Sequence, residues 1–249
     1  MNYWSHSVKD IKDITYDKGP PPKYKKIMDK SPSLVTIDWH NIISSPPPND
    51  SDITRNELEY IKQISSNLPP EERDLVMSVD DDPNNLFKRY LLKEGLSFPE
   101  KEFNKAYYGD LEIIITNLKW KFKRPRPYQL GPLLGINIGF INTKTHHTPA
   151  YPSGHTALGH LSAAMLSDLY PEHSAQFYKI ASMVGHARVI QGVHYPSDND
   201  AAAVLSKALW NDIKYRIFPT MRTKSLLNEA DLEYNIKEIN NAPSHARKK

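Results

Sequence analysis

Ala187 to Asp200 reads A-R-V-I-Q-G-V-H-Y-P-S-D-N-D, and the rest of the chain is organised around this stretch. Arg188 precedes His194 by six residues and Asp198 follows it by four. Gly192 interrupts a helix arriving from the N-terminal side, because glycine is a poor helix former. Pro196 suits the first turn of a new helix, where its missing N–H costs nothing. Ser197, Asp198 and Asp200 place acidic and capping side chains where they complement the positive end of that helix. The pattern predicts two helices meeting at a break, with His194 in the break and Asp198 one turn further on. A carboxylate there can take the proton side of one imidazole nitrogen and leave the other as a lone pair, which prepares a histidine for nucleophilic attack. The same residues also suit a surface histidine beside a helix cap, so the neighbouring stretches have to decide.

Working outward, helical spacing dominates. Upstream, Ser174 to Ile190 carries Phe177, Ile180, Ala181, Val184 and Ala187, and delivers Arg188 to the break. Downstream, Asp198 to Ile217 carries Ala202, Leu205, Leu209, Trp210 and Ile213, and Leu226 to Ile239 reads as a last amphipathic helix. Ser153 caps a further apolar helix with Ala157, Leu158, Leu161, Ala164, Met165 and Leu169, ending near Pro171. Earlier come Asn56 to Leu68, stopped by Pro69-Pro70, then a short helix over Asn85 to Leu96, then a longer one opened by Phe98-Pro99-Glu100. That third helix gives way near Lys123, because Pro125 and Pro127 disfavour helix at the residues before them. Asp80-Asp81-Asp82, between the first two helices, reads as a solvated loop. Gly131 to Pro152 reads as a glycine-rich connection containing His146 and His147. His160 reads as a packed or surface histidine.

The expected architecture is all-α, a single helical-bundle domain over residues 51–245 behind an irregular proline-rich N-terminal arm over residues 1–50. Gly19-Pro20-Pro21-Pro22 and Pro46-Pro47-Pro48 favour extended backbone in that arm. Only Leu34 to Ile43 is apolar enough to dock onto the domain.

Composition removes several function classes. The chain has no cysteine, which excludes disulfides, thiolate catalysis and cysteine-ligated zinc. A formal net charge of +3, with lysine and arginine spread throughout its 249 residues, makes no case for a nucleic-acid-binding tail. No apolar window reaches the length of a bilayer-spanning helix, and the N-terminus lacks the apolar segment of a signal peptide. A soluble protein is expected, cytoplasmic or of open location.

Two further stretches complete the constellation. Lys119 to Arg126 reads K-W-K-F-K-R-P-R, five cations interleaved with Trp120 and Phe122. The aromatic residues imply partial burial, and buried cations need anions. Tyr151-Pro152-Ser153-Gly154-His155 opens a helix, and free backbone N–H groups at such an end attract an anion. Together, Lys119, Arg126 and Arg188 supply positive charge, Ser153 and Gly154 supply a helix N-terminus, and His155 and His194 can move protons or attack, with Asp198 orienting His194. That inventory describes a phosphate pocket with its own nucleophile, since phosphoryl transfer is met by positioned cations and N–H donors. No metal ligand set is discernible, and none is required if three side-chain cations stabilise the charge.

The spacing of these blocks resembles the type 2 phosphatidic acid phosphatase (PAP2) superfamily, which also contains the vanadium haloperoxidases. Lys119 with six residues before Arg126-Pro127, then Pro152-Ser153-Gly154-His155, then Arg188, His194 and Asp198 match its three-block signature in order. The resemblance covers about Lys119 to Ala203, and Y-P-S-G-H-T-A with R-V-I-Q-G-V-H-Y-P-S-D-N-D-A is most similar to the class A non-specific acid phosphatases. It implies a helical phosphomonoesterase with His194 as a nucleophile that becomes a phosphohistidine, and Asp198 holding its ring. By the same resemblance, His155 is the acid for the leaving alcohol and then the base for water. Lys119, Arg126, Ser153, Gly154 and Arg188 bind the phosphate oxygens. No cofactor is implied for such a phosphatase. Vanadate is expected to bind as an inhibitor, or as a cofactor if the chain is a haloperoxidase instead, and a soluble lipid-phosphate phosphatase is the other alternative. The partner implied is a small phosphate ester, and the family suggests a homo-oligomer. Two departures stand out: Ala187 replaces the family's usual serine, and the class A relatives carry export signals.

Overall fold

A computed structural model describes residues 10–16 and 18–217, and among these there is no β-strand. The arm contains α1 (Pro22–Met28), started by proline at its N1 position, between two short 3₁₀ turns. Then follow α2 (Asp52–Ser65), α3 (Pro70–Asp81), α4 (Asn85–Lys93), α5 (Glu100–Ala106) and α6 (Glu112–Phe122). A π-helical turn over Tyr107–Leu111 joins α5 to α6. Next are α7 (Pro127–Leu130), α8 (Gly154–Leu169), α9 (Ser174–Ile190) and α10, whose described part is 196–217. The helix expected over Leu226 to Ile239 lies outside the described residues.

α8 is buried along most of its length, which marks a helix surrounded by others, whereas α9 buries one face and leaves Tyr178, Lys179, Ser182 and His186 exposed. They pack along one another through the middle of the fold. Each covers a different neighbour. On one side Leu158, Leu161 and Met165 of α8 meet Ile114, Ile115 and Leu118 of α6 and Leu205, Leu209 and Ile213 of α10. On another, Phe177, Ile180 and Ala181 of α9 pack with Phe87 and Leu91 of α4. Val184, Ala187 and Ile190 meet Val76 and Val79 of α3.

Two sequence expectations change here. The helix expected over Asn56 to Leu68 is α2, which starts earlier and stops at Ser65, before the prolines, and Pro70 occupies the first turn of α3, where a missing N–H is tolerated. Asp80-Asp81-Asp82 is accordingly not a solvated loop, because Asp80 and Asp81 close α3 and Asp80 is buried beside Val76 and Val79. The stretch from Gly131 to Pro152 also begins with a 3₁₀ turn, Gly131–Leu134, before it becomes irregular.

The arm is held rather than merely extended. Leu34 and Ile43 enter the core, as the apolar run Leu34 to Ile43 predicts. Asp110, buried in the π turn, accepts hydrogen bonds from the backbone N–H groups of Ser33, Leu34 and Val35 at 2.8, 2.7 and 2.5 Å. Tyr16 stacks on Trp120 of α6 with ring centres 5.9 Å apart.

Candidate active site

The break between α9 and α10 forms as the glycine and proline dictate. Gly192 adopts φ +79°, a left-handed conformation that only glycine takes without strain. A side chain there would also collide with the carbonyl oxygen of Gly139. The turn lets the carbonyl of Arg188 accept from both Val193 and His194 N–H, at 3.3 and 3.2 Å. The end of α9 thus positions the backbone of His194. Gln191 ties the break to the preceding loop, donating to Ile141 O at 3.1 Å and to Thr143 Oγ1 at 2.7 Å.

His194 is 2% exposed and held at both nitrogens. Its Nδ1 lies 2.9 Å from Asp198 Oδ2, and its Nε2 lies 2.9 Å from Nη1 of Arg126. A guanidinium only donates, and a carboxylate only accepts. The proton therefore sits on Nδ1 and the Nε2 lone pair faces the cations. Asp198 Oδ2 also accepts from Tyr195 N–H at 3.0 Å, and its backbone carbonyl accepts from Ser153 N–H at 3.1 Å. That last bond joins the start of α8 to the start of α10.

Ser153 is the N-cap of α8, its hydroxyl accepting from Thr156 N–H, so Gly154 and His155 occupy the first turn as expected. Lys119 Cε lies 3.9 Å from the position a Cβ would take on Gly154, which places the lysine at this helix end. Its Nζ donates to the carbonyls of Pro149 and Ala150, at 2.6 and 3.2 Å. Arg126 donates to Thr148 O and Val193 O, both at 2.8 Å, and to Thr148 Oγ1 at 3.2 Å. Arg188 reaches Asp80 Oδ1 at 2.8 Å and Thr145 Oγ1 at 3.0 Å, and Thr145 Oγ1 lies 3.5 Å from His155 Nε2. All eight residues singled out in the sequence therefore converge through direct contacts or one shared neighbour.

Charge is unbalanced at this point. Lys119 and Arg126 are buried, yet among the described residues neither pairs with a carboxylate. Burial, then repulsion from Arg126, pulls the Lys119 ammonium well below its ordinary range. Burial and the neighbouring Arg188 bring Arg126 down to about 10. His194 is likewise pushed down, first by burial and then by Arg126, Lys119 and Arg188, so it stays neutral. His155 is lowered by burial and by Arg188. Buried cations held by neutral carbonyls are a costly arrangement that an anion would relieve.

Three residues that support the site carry no role in the sequence reading. Arg124 is 2% exposed and bridges Asp198 Oδ1 at 2.6 Å and Glu57 Oε2 of α2 at 3.1 Å, with its guanidinium 3.7 Å from the ring centre of Tyr195. Glu57 in turn accepts from Ser197 N–H at 2.6 Å and from its hydroxyl at 3.0 Å. A chain of charge-assisted bonds thus runs Glu57, Arg124, Asp198, His194. Asp80 is the third: it accepts from Arg188, from Thr143 at 2.6 Å, from Lys144 N–H at 3.0 Å and from Thr145. Burial alone would raise its carboxyl, but these donors outweigh it and hold Asp80 far below the usual carboxylate range.

No helix among the described residues is long and apolar enough to cross a membrane. Among the same residues, no group of three or more histidine and acidic side chains has a metal-holding arrangement.

The pattern of the PAP2 superfamily matches residues 107–220. A non-specific acid phosphatase of Salmonella typhi is 44% identical over 168 residues, covering 63% of this chain and 65% of that protein. One from Providencia stuartii is 36% identical over 102 residues, covering 39% of this chain and 38% of that protein. In each the match spans less than two thirds of the relative's length. Among solved structures, a holo-type bacterial vanadium-dependent chloroperoxidase aligns with a TM-score of 0.56 at 14% identity, covering 79% of this chain and 55% of that one. That likeness is one of fold.

Proposed function

Residues 107–220 carry the PAP2-superfamily pattern, and on that premise we propose that this protein hydrolyses phosphomonoesters with His194 as the nucleophile. The observation that carries the reading is the Nε2 lone pair of His194 turned toward buried Arg126, which, like buried Lys119, forms no ion pair with a carboxylate among the described residues. The naming of its curated relatives as non-specific acid phosphatases supports the same reaction class.

In this account the phosphate enters with its oxygens toward Lys119, Arg126, Arg188, the Ser153 hydroxyl and the Gly154 N–H. Its negative charge offsets the burial and repulsion that depress both imidazoles, and favours the protonated form of His155. His194 Nε2 attacks phosphorus while the ester oxygen departs on the opposite side, taking the proton of His155. The P–O bond breaks, a P–N bond forms, and Asp198 stabilises the positive charge that His194 acquires. Water then attacks the phosphohistidine, giving its proton to the now neutral His155. The P–N bond breaks and His194 returns neutral, with phosphate as product. The cations stabilise charge spread over the three equatorial oxygens, the role that metal ions fill in other phosphoryl-transfer enzymes.

The test is hydrolysis of a panel of phosphomonoesters with and without excess chelator. Phosphate release should survive the chelator and be blocked by vanadate, which adopts the five-coordinate geometry of the transition state. Activity lost on chelation and restored by magnesium or zinc would contradict the proposal.

A further inference from the structure

The loop that precedes α8 carries a cluster of rings that the chemistry above does not use. Its segment 145–148 runs from His155 at one end to Arg126 at the other. Thr145 stands between Arg188 and His155, and Thr148 receives two donors from Arg126. Between those two threonines lie His146 and His147, with ring centres 4.1 Å apart. Two residues beyond Arg126, Tyr128 stacks on Phe140 at 4.2 Å and 24°. Both present themselves edge-on to His146, at 5.7 and 5.1 Å. His146 is only 4% exposed, whereas Phe140 is 39% exposed and His147 is also open to solvent. The wall is thus anchored by the buried ring of His146 and carries the partly exposed ring of Phe140, stacked on Tyr128.

Its position has a consequence for the ester. In an in-line displacement the leaving oxygen lies opposite the attacking Nε2 of His194, which puts it at His155. Thr145 is the loop residue that touches His155, so the body of the leaving group extends along the wall that begins there. We propose that Tyr128, Phe140, His146 and His147 form a leaving-group subsite selecting phosphate esters whose alcohol bears a planar aromatic ring. Offset stacking on Phe140 is the contact that selects it, because aromatic faces attract beyond the area they bury. His146 adds an uncharged ring: burial, then His147 and Arg126, bring it down to about 4, so it does not repel an apolar group at working pH. This inference rests on the phosphatase reading of the same site.

The experiment compares kcat/KM for benzyl phosphate and cyclohexylmethyl phosphate, whose leaving alcohols are similar in basicity and size but differ in planarity. Adenosine 5′-monophosphate against ribose 5-phosphate is the second pair, and tells whether the ring lies next to the ester or a sugar away. The aromatic member of at least one pair should be favoured about two- to tenfold, the range an aromatic contact contributes. Phe140→Leu, which keeps apolar bulk at a partly exposed position, should bring that ratio close to one, and Phe140→Trp should keep it. No preference in either pair, or a preference that survives Phe140→Leu, overturns the subsite while leaving the phosphatase reading intact. Hydrolysis of none of the four esters overturns both.

Discussion

At the scale of single residues, His194 depends on a partner of its partner. Asp198 orients the imidazole, and Arg124 holds Asp198 from behind while Glu57 holds Arg124. Removing the arginine would leave two buried carboxylates facing each other without a cation. Breaking a buried pair in this way typically costs about 3–5 kcal/mol. Arg124→Leu should therefore lower unfolding stability by that order in urea titration, and a loss below about 1 kcal/mol would mean that the chain of contacts is dispensable. Arg124 was only partly legible in the sequence. The interleaving of Trp120 and Phe122 implies a buried segment and so a buried cation in need of an anion. Nothing in local spacing points to Glu57, which lies 67 residues earlier on α2. Lys119, Arg126, Ser153, Gly154, His155, Arg188, His194 and Asp198 could be singled out because each of three short blocks carries a local feature and their order and spacing resemble a family pattern. A cap, a helix end and a glycine break need no knowledge of the tertiary fold.

At the scale of elements, the site is where α8 begins, α9 ends and α10 begins, and the turn at Gly192 sets the last two relative to one another. Left-handed backbone costs a residue with a side chain roughly 1–2 kcal/mol, and the collision with Gly139 O adds to it. Gly192→Ala should lower stability by at least that amount and reduce turnover as well, because the carbonyl of Arg188 would no longer cap both Val193 and His194. Unfolding in urea alongside phosphate release measures both, and a variant of unchanged stability would show that the turn is permissive. The helices α8 and α9 were readable from their apolar periodicity. By contrast, α3 was not, because its buried face consists of Val76, Val79 and an aspartate rather than a full apolar stripe. Missing the helix meant missing Asp80, whose spacing of four from Val76 places it on that inner face. Its partner Arg188 comes 108 residues later, beyond the reach of any local pattern.

For the molecule as a whole, packing around α8 and α9 keeps several imidazoles neutral in a positively charged interior. His146, His155 and His194 all have folded pKa values below the ordinary value of about 6.5. The unfolded chain binds protons at these groups first, so the stability they contribute is fully present above about pH 6.5 and is lost as pH falls through their depressed folded values. The phosphate-free protein should show a melting temperature that declines from about pH 6.5 toward pH 4. Added inorganic phosphate should flatten the decline by favouring imidazolium at His155 and His194. A melting temperature that rises over this window would contradict the charge balance described here. The arm illustrates why global features were harder to read than the site. Leu34 to Ile43 was recognisable as a docking segment, yet its anchor, Asp110, sits in a π-helical turn that has no marker in the spacing of apolar residues. That His194 is the nucleophile can be checked by rapid mixing of the His155→Ala variant with labelled p-nitrophenyl phosphate. Its leaving group departs without an acid, whereas attack of water still needs the missing base, and such assistance is typically worth about 10²–10⁴-fold. The expected outcome is a burst of one product equivalent per site followed by a stall, with acid-labile, alkali-stable label on His194. Label on another residue, or a burst that persists when His194→Ala is added to the variant, would contradict it.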